Sequence, residues 1–574
     1  MERKTMQDRP AGADVWRWFA DNVEAEFGKM DLETGRFMEG QGWAVTNQDI
    51  MLCLAVLYSA SADGNRLYRD GSLIERIGLA GDALRRFQYP DGKVEFVKVD
   101  GSKWGPIYMP WSMYHWLETY RLIGGELSPG RQADWRDGLE LAFAGIDREM
   151  RESLDKHSEK ISAVHNIPTW NAMALHRAAN VLGHADWKKA AETMIGLTLE
   201  AQHEDGYWPE HHGPTTLYNL VYVHALGLYA RHGGAIDVTA ALDKALGFHE
   251  RFTYPDGSRV ETVDGRTKYD SHPSPMGLTG LTLLPRGEAY AASLIGLAMK
   301  RDVRWKMPHL ADLLQYWSPD WAACQPSLSD DMPSEPPPTL FDRATFEEVS
   351  ARSLAVKQDG WYVCLSAFAA PCVESRWGQD RQSFVGVWHR SSGLIVGGGN
   401  SKNQPEWSTF EVRSADGSQA YVPDAGEICE GSRAIRLACG SRALTVRLDR
   451  LSAEEALFAF AADLDEGDEG YVHLPLRLKP GVPLLTSDDG QTLGVSDSPI
   501  RLAERDGESV RRLAHDSWEL LFEGAYSLDW PSHPFNPYAE DGRAELREAV
   551  AVLTLPLGGN AARSITIRVS PASV

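Results

Sequence analysis

The chain has 574 residues and carries 58 Lys and Arg against 81 Asp and Glu, which leaves a formal net charge of −23. This acidic balance argues against nucleic acid and against anionic membrane surfaces as partners, because both attract basic proteins. An acidic ligand remains compatible with it where basic groups concentrate in a local cleft. The length is sufficient for two large domains, each with its own core.

The sequence carries no pattern typical of export or membrane insertion. Its first residues are charged and lack an apolar segment, and no stretch approaches 18 uninterrupted apolar residues. Six scattered cysteines form no CxxC pair, which is typical of free thiols in a reducing compartment. We therefore expect a cytoplasmic protein, although a mature secreted chain would have the same features. The sequence gives no indication of oligomeric state.

The first half of the chain is predicted to be helical. Apolar residues recur every three or four positions, the period of amphipathic helices, over 49–61, 105–124, 170–183, 187–202, 217–234 and 288–301. The sequence FQYPDG at 87–92 recurs as FTYPDG at 252–257, and a further EDG occupies 204–206. Asp-Gly after a helix favours a tight turn. We interpret the repeat as a ring of helical hairpins, an (α/α) toroid, with its turns on one face.

The second half is predicted to be a β domain. Residues 316–347 are rich in proline without an apolar period, which is typical of a linker. A period of two then predicts strands at 361–368, 383–389, 393–399, 443–451, 456–464 and 562–570. We therefore predict an α+β multidomain chain with a toroid, an incomplete helical barrel, over residues 1–315. The linker follows at 316–347, and an antiparallel β-sandwich occupies 348–574.

One stretch of the helical half carries a more specific pattern. It contains Asn166 before a helix, the acidic turn Asp205-Gly206 with Glu210 behind it, and then Tyr218. This arrangement resembles that of polysaccharide lyases of the toroid plus antiparallel β-sheet architecture, the heparinase-like and alginate-lyase-like enzymes. In those enzymes an Asn, often Asn-His, a helix, a D-G-x-x-x-E turn and a Tyr follow one another.

The match departs from the family pattern in two places. His165 precedes the asparagine and Ile167 follows it, and GPTTL stands before Tyr218 where many relatives have Ser-Pro. The whole chain is also similar to the rhamnose–glucuronate lyases of this architecture, in the segments PIYMPWSMYHW at 106–116 and GNSKNQPEWSTF at 399–410.

The resemblance implies β-elimination at a uronic acid. Such an enzyme removes the C5 proton beside the carboxylate and expels the O4 substituent, which leaves an unsaturated uronate. The site then needs donors at the carboxylate, a base and an acid. Asn166 is the candidate donor, although an N-cap role explains it equally well. Tyr218 is the candidate base, acid or both, although spacing alone favours a half-buried aromatic on a helix face.

Other candidates surround these two residues. Histidines that could polarise the carboxylate or act as base are His165, His211 and His212, together with His389, because relatives often bring a β-domain histidine to the cleft. Candidate substrate contacts are Trp104, Trp208, Glu210, His272, Arg376 and Arg381, the last two forming a basic patch with Arg390 and Lys402. Solvated turn histidines, an ordinary strand histidine and core tryptophans are the structural alternatives.

Two other functions stay open. A glycoside hydrolase on this scaffold would use two carboxylates, with Asp49, Asp205, Glu210 and Asp256 as candidates. The other is a noncatalytic glycan-binding protein. We expect an acidic oligosaccharide or polysaccharide as the partner, and no cofactor or catalytic metal. The carboxylates at 465–471 and 487–491 are candidates for structural calcium, but neither segment has the EF-hand spacing, and solvated turns explain them better.

Overall fold

The computed structural model describes residues 11–569, with gaps at 41, 159–160, 211–212, 267, 306, 319–338, 487–491, 505–509 and 558–561. The chain divides into two compact units. The helical unit comprises Met1–Gly206, Tyr218–Leu246 and Pro273–Thr339, and the sheet unit comprises Tyr207–Leu217, Gly247–His272 and Leu340–Val574. None of the described helices is long and apolar enough to cross a bilayer.

Helices dominate the first half of the described chain. They are α1 (Gly12–Glu24), α2 (Ile50–Ser59), α3 (Gly71–Phe87), α4 (Pro110–Ile123), α5 (Pro129–Asp155), α6 (Asn166–Leu182), α7 (Trp187–Glu200), α8 (Tyr218–Arg231), α9 (Thr239–Arg251), α10 (Leu278–Leu281), α11 (Pro285–Lys300) and α12 (Met307–Leu314). Two short hairpins accompany them, β1 (Met30–Asp31) with β2 (Arg36–Phe37) and β3 (Val94–Val97) with β4 (Lys103–Ile107).

The even-numbered helices form a ring inside the helical unit. Helix α2 packs against α4, α4 against α6, α6 against α8, α8 against α10 and α10 against α12, and α12 returns to α2. Helices α3, α5 and α7 pack against this ring from α2 to α6. Nine of the ten α2 residues are buried, as expected for a helix enclosed on all sides. The (α/α) toroid inferred from the repeat of helical segments is confirmed.

The repeated Asp-Gly turns are one structural motif. Gly92, Gly206 and Gly257 all adopt a left-handed conformation, with φ of 90°, 92° and 85°. In each turn the glycine N–H donates to the carbonyl three residues earlier, at 2.9, 2.9 and 2.8 Å. A Cβ at Gly206 would lie 2.1 Å from the Lys244 carbonyl oxygen, so no other residue fits there.

The sheet unit contains two antiparallel sheets. Its strands are β5 (Phe346–Ser350), β6 (Ser353–Gln358), β7 (Trp361–Ser366), β8 (Val385–His389), β9 (Gly393–Val396), β10 (Phe410–Arg413), β11 (Ala420–Tyr421), β12 (Ala425–Cys429), β13 (Ala434–Cys439), β14 (Arg442–Leu451), β15 (Glu455–Asp463), β16 (Glu469–Leu476), β17 (Leu484–Thr486), β18 (Thr492–Leu493), β19 (Ile500–Glu504), β20 (Val510–His515), β21 (Trp518–Glu523), β22 (Tyr526–Ser532), β23 (Val550–Leu557) and β24 (Ala562–Val569).

One sheet runs β19-β22-β23-β16-β9-β8-β7-β6-β5 with β10 and β11 beside β16, and the other runs β12-β13-β14-β15-β24-β21-β20-β17-β18. Alternate residues of both sheets share one apolar core, for example Val363 with Val446 and Ile565. This is the packing of a β-sandwich, so the predicted C-terminal architecture is confirmed.

Two segments from the helical half of the sequence belong to the sheet unit. Phe248, Tyr254 and Val260 form an apolar cluster with Tyr362 and Trp388 of the sheet. The Tyr254 ring lies edge-on to that of Tyr362, with ring centroids 5.0 Å apart. The fold is therefore discontinuous in sequence, because the loops around the Asp-Gly turns complete the core of the strands.

A chain that ends at residue 345 should fail to give a soluble helical fragment. The truncation removes the sheet residues that cover Phe248, Tyr254 and Val260, each at most 1% exposed in the whole chain. Exposing large apolar side chains costs roughly 1.5–3 kcal/mol each and favours aggregation. The soluble fraction after expression, compared with the full chain, measures this. A soluble fragment that melts cooperatively would contradict the packing.

Glu261 is a buried carboxyl inside the sheet unit, 1% exposed. Its Oε2 accepts the Tyr254 hydroxyl at 3.2 Å, and its Oε1 accepts the Gly398 N–H at 3.1 Å. Burial raises the pKa of Glu261 from 4.5 to about 7, because the charged form loses its hydration. The folded chain therefore holds a proton that the unfolded chain releases across this window, and this carboxyl lowers stability as pH rises.

Glu261→Gln should remove this pH dependence. The amide keeps the shape and stays neutral, so the variant should exceed the wild type in stability near pH 8 by up to about 3 kcal/mol and approach it near pH 5. Urea unfolding at the two pH values measures the difference. Equal pH profiles of stability for wild type and Glu261→Gln would refute the assignment.

Glu411→Gln should change the pH dependence of stability in the opposite direction. Although burial opposes the ionisation of Glu411, hydrogen bonds from His473 and Arg413 lower the pKa of this carboxyl to about 2. The stabilising contribution of Glu411 is therefore present above pH 4.5 and lost as pH falls towards 2.

Candidate functional site

Helices α6 and α8 bring two of the predicted site residues to the same end of the ring. The rings of Trp170, in the second turn of α6, and His224, in the second turn of α8, stack with centroids 5.4 Å apart at 18°. His176 and Tyr229, which lie six and five residues further along α6 and α8, also face each other, with ring centroids 4.9 Å apart. Two contacts that advance along both helices in the same direction show that α6 and α8 run parallel. Asn166 and Tyr218, the first residues of α6 and α8, therefore lie at one end of the ring.

The start of α6 separates the roles of two neighbouring residues. His165 occupies the N-cap position with extended backbone, φ −145° and ψ 169°, and its side chain makes no capping hydrogen bond. Asn166 is the first helical residue and is 7% exposed, whereas His165 is exposed. The N-cap explanation of Asn166 is therefore wrong by one residue. The end of α6 combines a buried amide, an exposed imidazole and the positive end of the helix dipole.

Tyr218 differs from the other tyrosines of its helix. It is half-buried at the first position of α8, whereas Tyr222 and Tyr229 are fully buried. The Tyr229 hydroxyl accepts the Ile236 N–H at 3.2 Å. The helix thus places one partly accessible phenol at the end where Asn166 lies, and two inaccessible ones deeper in the unit.

The peptide that leads into Tyr218 is fixed by a buried carboxylate. Asp264 Oδ2 accepts the N–H groups of Thr216 and Leu217 at 2.7 and 3.3 Å, and its Oδ1 accepts the Arg266 N–H at 2.8 Å. The Asp264 side chain is fully buried. Such multiple bonds to one carboxylate restrict the conformation of the loop before α8.

Glu210 is half of a buried ion pair. Its Oε2 lies 2.9 Å from Arg266 Nη1, with side-chain exposures of 3% and 13%. The Arg266 guanidinium also lies 5.9 Å from the ring centroid of Trp377, and that ring packs against Tyr538 at 5.3 Å. Arg376 approaches the same Trp377 ring at 5.6 Å and is exposed. Together these side chains form an aromatic and cationic group inside the sheet unit.

A buried amide lies next to this group in the sequence. Gln379 is 2% exposed, and its N–H donates to the Gly265 carbonyl at 3.1 Å. Neither polar atom of its side chain has a hydrogen-bond partner among the described residues. An unsatisfied buried amide is costly, which is typical of a group that meets a ligand or an ordered water.

The predicted basic patch is not one patch. Lys402 is buried with Nζ 2.6 Å from Asp380 Oδ2, and Arg381 Nη1 lies 3.1 Å from Asp380 Oδ1. One buried carboxylate therefore pairs with two of the predicted cations and neutralises one of their two charges. Arg390 is exposed at the turn after β8. Of the predicted patch, Arg376 is the cation that lies against the aromatic pair.

His389 lies inside the sheet unit at 3% exposure. Its ring contacts Trp361 at 4.5 Å and its Nδ1 lies 2.8 Å from the Ser391 hydroxyl. Burial lowers the pKa of His389 to about 4, and the nearby Arg390 charge adds to this. The strand-histidine alternative describes this environment better than a role as base.

The remaining predicted residues are scattered. Trp208 is fully buried, so its ring offers no face to a sugar in this structure, because the acidic turn folds inward. Trp104 is 46% exposed and stacks on Phe96 at 4.7 Å. His272 is exposed, with Nδ1 2.8 Å from Asp270 Oδ1. His211 and His212 lie outside the described residues.

Sequence reasoning missed Arg266, Trp377, Tyr538 and Gln379. Arg266 and Glu210 are 56 positions apart, so no local pattern joins them. Trp377 stands directly beside Arg376, and a tryptophan next to an arginine was the available signal.

Comparisons with known proteins concern the fold. No family model and no curated protein sequence matches this chain. A xanthan lyase from Paenibacillus superposes with a TM-score of 0.51 at 12% identity, covering 98% of this chain and 57% of the xanthan lyase, so this chain spans little more than half of that protein. A heparinase III gives a TM-score of 0.48 at 10% identity, and the match covers 98% of this chain and 84% of the heparinase. A heparan sulfate lyase mutant from Pedobacter heparinus gives a TM-score of 0.45 at 12% identity, and the match covers 97% of this chain and 84% of that lyase. At such identities the likeness to xanthan lyase shows a shared toroid and β-sandwich fold.

Proposed function

We propose that this chain is a carbon–oxygen lyase that cleaves a uronate-containing glycan at O4 of the uronic acid by β-elimination. A glucuronate-type residue is the proposed target, with rhamnosyl-glucuronate as the first substrate to test. The observation that carries the proposal is the placement of Asn166 and Tyr218 on the first residues of two parallel, packed helices. An amide donor and a phenol at one end of the ring are the two groups that the elimination requires.

The α6 end suits the uronate carboxylate. The C5 proton becomes removable only when the carboxylate charge is stabilised as the carbanion forms. The Asn166 amide N–H can donate to a carboxylate oxygen, and the N-terminal end of α6 attracts the same negative charge. The exposed His165 beside it supplies a second donor.

Tyr218 is assigned the proton transfer. A phenolate at this position removes the C5 proton, and the resulting hydroxyl returns a proton to the departing O4 oxygen. One residue then serves as base and acid in succession. The bonds from Asp264 to Thr216 and Leu217 fix the chain immediately before it, which limits the positions available to the phenol.

The aromatic group of the sheet unit is assigned to glycan binding. Trp377 and Tyr538 offer ring faces of the kind that stack on sugars, and Arg376 offers a charge for a carboxylate. Gln379 can pair with a sugar hydroxyl. Trp104 is a further exposed stacking candidate in the helical unit.

The hydrolase alternative is disfavoured by where its four candidate carboxylates lie. Asp49 lies 3.2 Å from His115, and Glu210 is paired with Arg266. Asp256 accepts the Ser258 N–H within its turn, and Asp205 lies 3.3 Å from His203 in the equivalent turn. Hydrolysis needs two carboxyl groups flanking an open site, and these serve turns and ion pairs.

A panel of acidic glycans read by ultraviolet absorbance tests the proposal. Elimination creates a double bond conjugated to the carboxylate, so absorbance should rise with rhamnosyl-glucuronate glycans and stay flat with neutral ones. New reducing ends without that absorbance would identify a hydrolase. Binding by calorimetry without turnover would identify a glycan-binding protein, and either result would end the lyase assignment.

A further inference from the structure

A cluster of ionisable side chains lies inside the ring of even-numbered helices. His115 on α4 and His309 and Asp312 on α12 each direct one ligand-type atom into the cluster, and these atoms lie within 4.8 Å of one another. Their exposures are 1%, 4% and 0%. His115 Nε2 lies 3.7 Å from Asp312 Oδ2. Two ligand atoms bound about 2.1 Å from one ion lie roughly 3–4 Å apart, so this pair already has the required spacing.

Two cluster members each have a further partner outside the group of three. His115 Nδ1 lies 3.2 Å from Asp49 Oδ2, and Asp312 Oδ2 lies 3.1 Å from His224 Nε2. His224 Nδ1 accepts the Gly277 N–H at 3.0 Å, so its Nε2 carries the proton that it donates to Asp312. A carboxylate behind a ligating histidine, and a donor on a ligating carboxylate, are the supports that orient metal ligands in proteins.

The cluster also leaves buried polar atoms unsatisfied. Among the residues described, Asp312 Oδ1, Asp49 Oδ1 and both ring nitrogens of His115 make no well-aligned hydrogen bond. Asp49 and Asp312 bring two formal negative charges into a region that is at most 6% exposed. Metal ligation requires a neutral His115, and with neutral imidazoles around them these two carboxylates have no counter-charge, which a divalent cation would supply.

We propose that His115, His309 and Asp312 bind one divalent transition-metal ion, with Zn²⁺ the best match, inside the helical ring. Two imidazoles and one carboxylate are a typical zinc ligand set, and they disfavour calcium and magnesium, which prefer oxygen ligands. Asp49 and His224 orient the ligands. Because the ligands come from α4 and α12, the ion ties together helices far apart in sequence. The proposal is independent of the lyase assignment, and its test uses no activity.

The metal content of the full chain tests this site. The protein is produced in zinc-supplemented medium, desalted, and analysed by inductively coupled plasma mass spectrometry. We expect about one Zn²⁺ per chain in the wild type and less than about a tenth in His309→Gln, because loss of one of three ligands opens the site. His176→Gln is the matched control: His176 is 2% exposed in α6, outside the cluster, and its variant should retain the ion.

Two further measurements keep the proposal testable where His309→Gln does not fold. Asp49→Asn, which leaves all three ligands in place, should lose zinc to a competing chelator with an affinity ~10–100-fold below that of the wild type. The wild type loaded with Co²⁺ should show the visible absorption of tetrahedral cobalt. A wild type without stoichiometric metal, equal zinc in a folded His309→Gln, or unchanged affinity in Asp49→Asn would each overturn the site.

Discussion

Tyr218→Phe should nearly abolish turnover while substrate affinity stays close to that of the wild type. The change removes one oxygen and keeps the ring, so the packing of this half-buried residue at the start of α8 is preserved. If the phenol removes the C5 proton, its contribution of ~10²–10⁴-fold to the rate is lost with that oxygen. Initial rates by ultraviolet absorbance and affinity by calorimetry measure the two quantities separately.

The same helix supplies the controls for this substitution. Tyr222→Phe and Tyr229→Phe remove the same atom from fully buried positions. Tyr222→Phe should leave turnover near the wild-type level, and Tyr229→Phe should lower stability through its lost bond to Ile236 rather than turnover. If Tyr218→Phe keeps more than about a tenth of the wild-type rate, Tyr218 does not carry the proton, and the role would have to be assigned to a histidine such as His165.

The architecture was predictable because its periods are local. Apolar residues every three or four positions are enough to indicate a helix, and alternation is enough to indicate a strand. The Asp-Gly repeat was equally readable, because Gly92, Gly206 and Gly257 each need a left-handed conformation in the same turn. Local geometry of this kind leaves a direct trace in the sequence.

The discontinuous sheet unit was not predictable in the same way. Phe248 and Tyr254 look like ordinary members of a helix and its following turn, and only the fold shows that they pack against Tyr362 and Trp388. The cluster of His115 and Asp312 was unpredictable for the same reason. The two residues lie on α4 and α12, which are far apart in sequence, and they meet only because the helices close into a ring. Long-range contacts of single side chains leave no period to detect.

Predictions that single side chains are accessible failed where the fold buries those side chains. Trp208 was expected at a sugar subsite because it follows an Asp-Gly turn, yet the turn folds it completely inward. Lys402 and Arg381 were expected to form a basic surface, yet Asp380 lies between them. Sequence spacing indicates where a side chain lies along the chain, whereas its exposure is decided by elements that arrive from elsewhere.

Asn166→Ala should lower turnover by ~10²–10³-fold, the loss typical when one donor to a developing anion is removed. The N-cap of α6 is His165, so the substitution spares the cap and the helix should persist. Because the amide acts most strongly as the carbanion forms, the loss should fall mainly on kcat rather than on KM. Ultraviolet initial rates over a range of glycan concentration separate the two constants, and circular dichroism melting reports the fold.

Asn171→Ala is the matched control, since it removes the same amide from the same helix just over one turn further from its start. It should leave kcat near the wild-type value, because that position lies deeper along α6, away from the end of the ring where Tyr218 begins α8. Asn166→Asp adds the opposite test. It keeps the size of the side chain but presents a carboxylate where the uronate carboxylate should bind, so we expect a rate no higher than that of Asn166→Ala. Near-normal kcat in Asn166→Ala together with a lowered melting temperature would show that the residue serves the helix and not the reaction, and the uronate carboxylate would then have to be bound by His165 or by the N–H groups of the first turn.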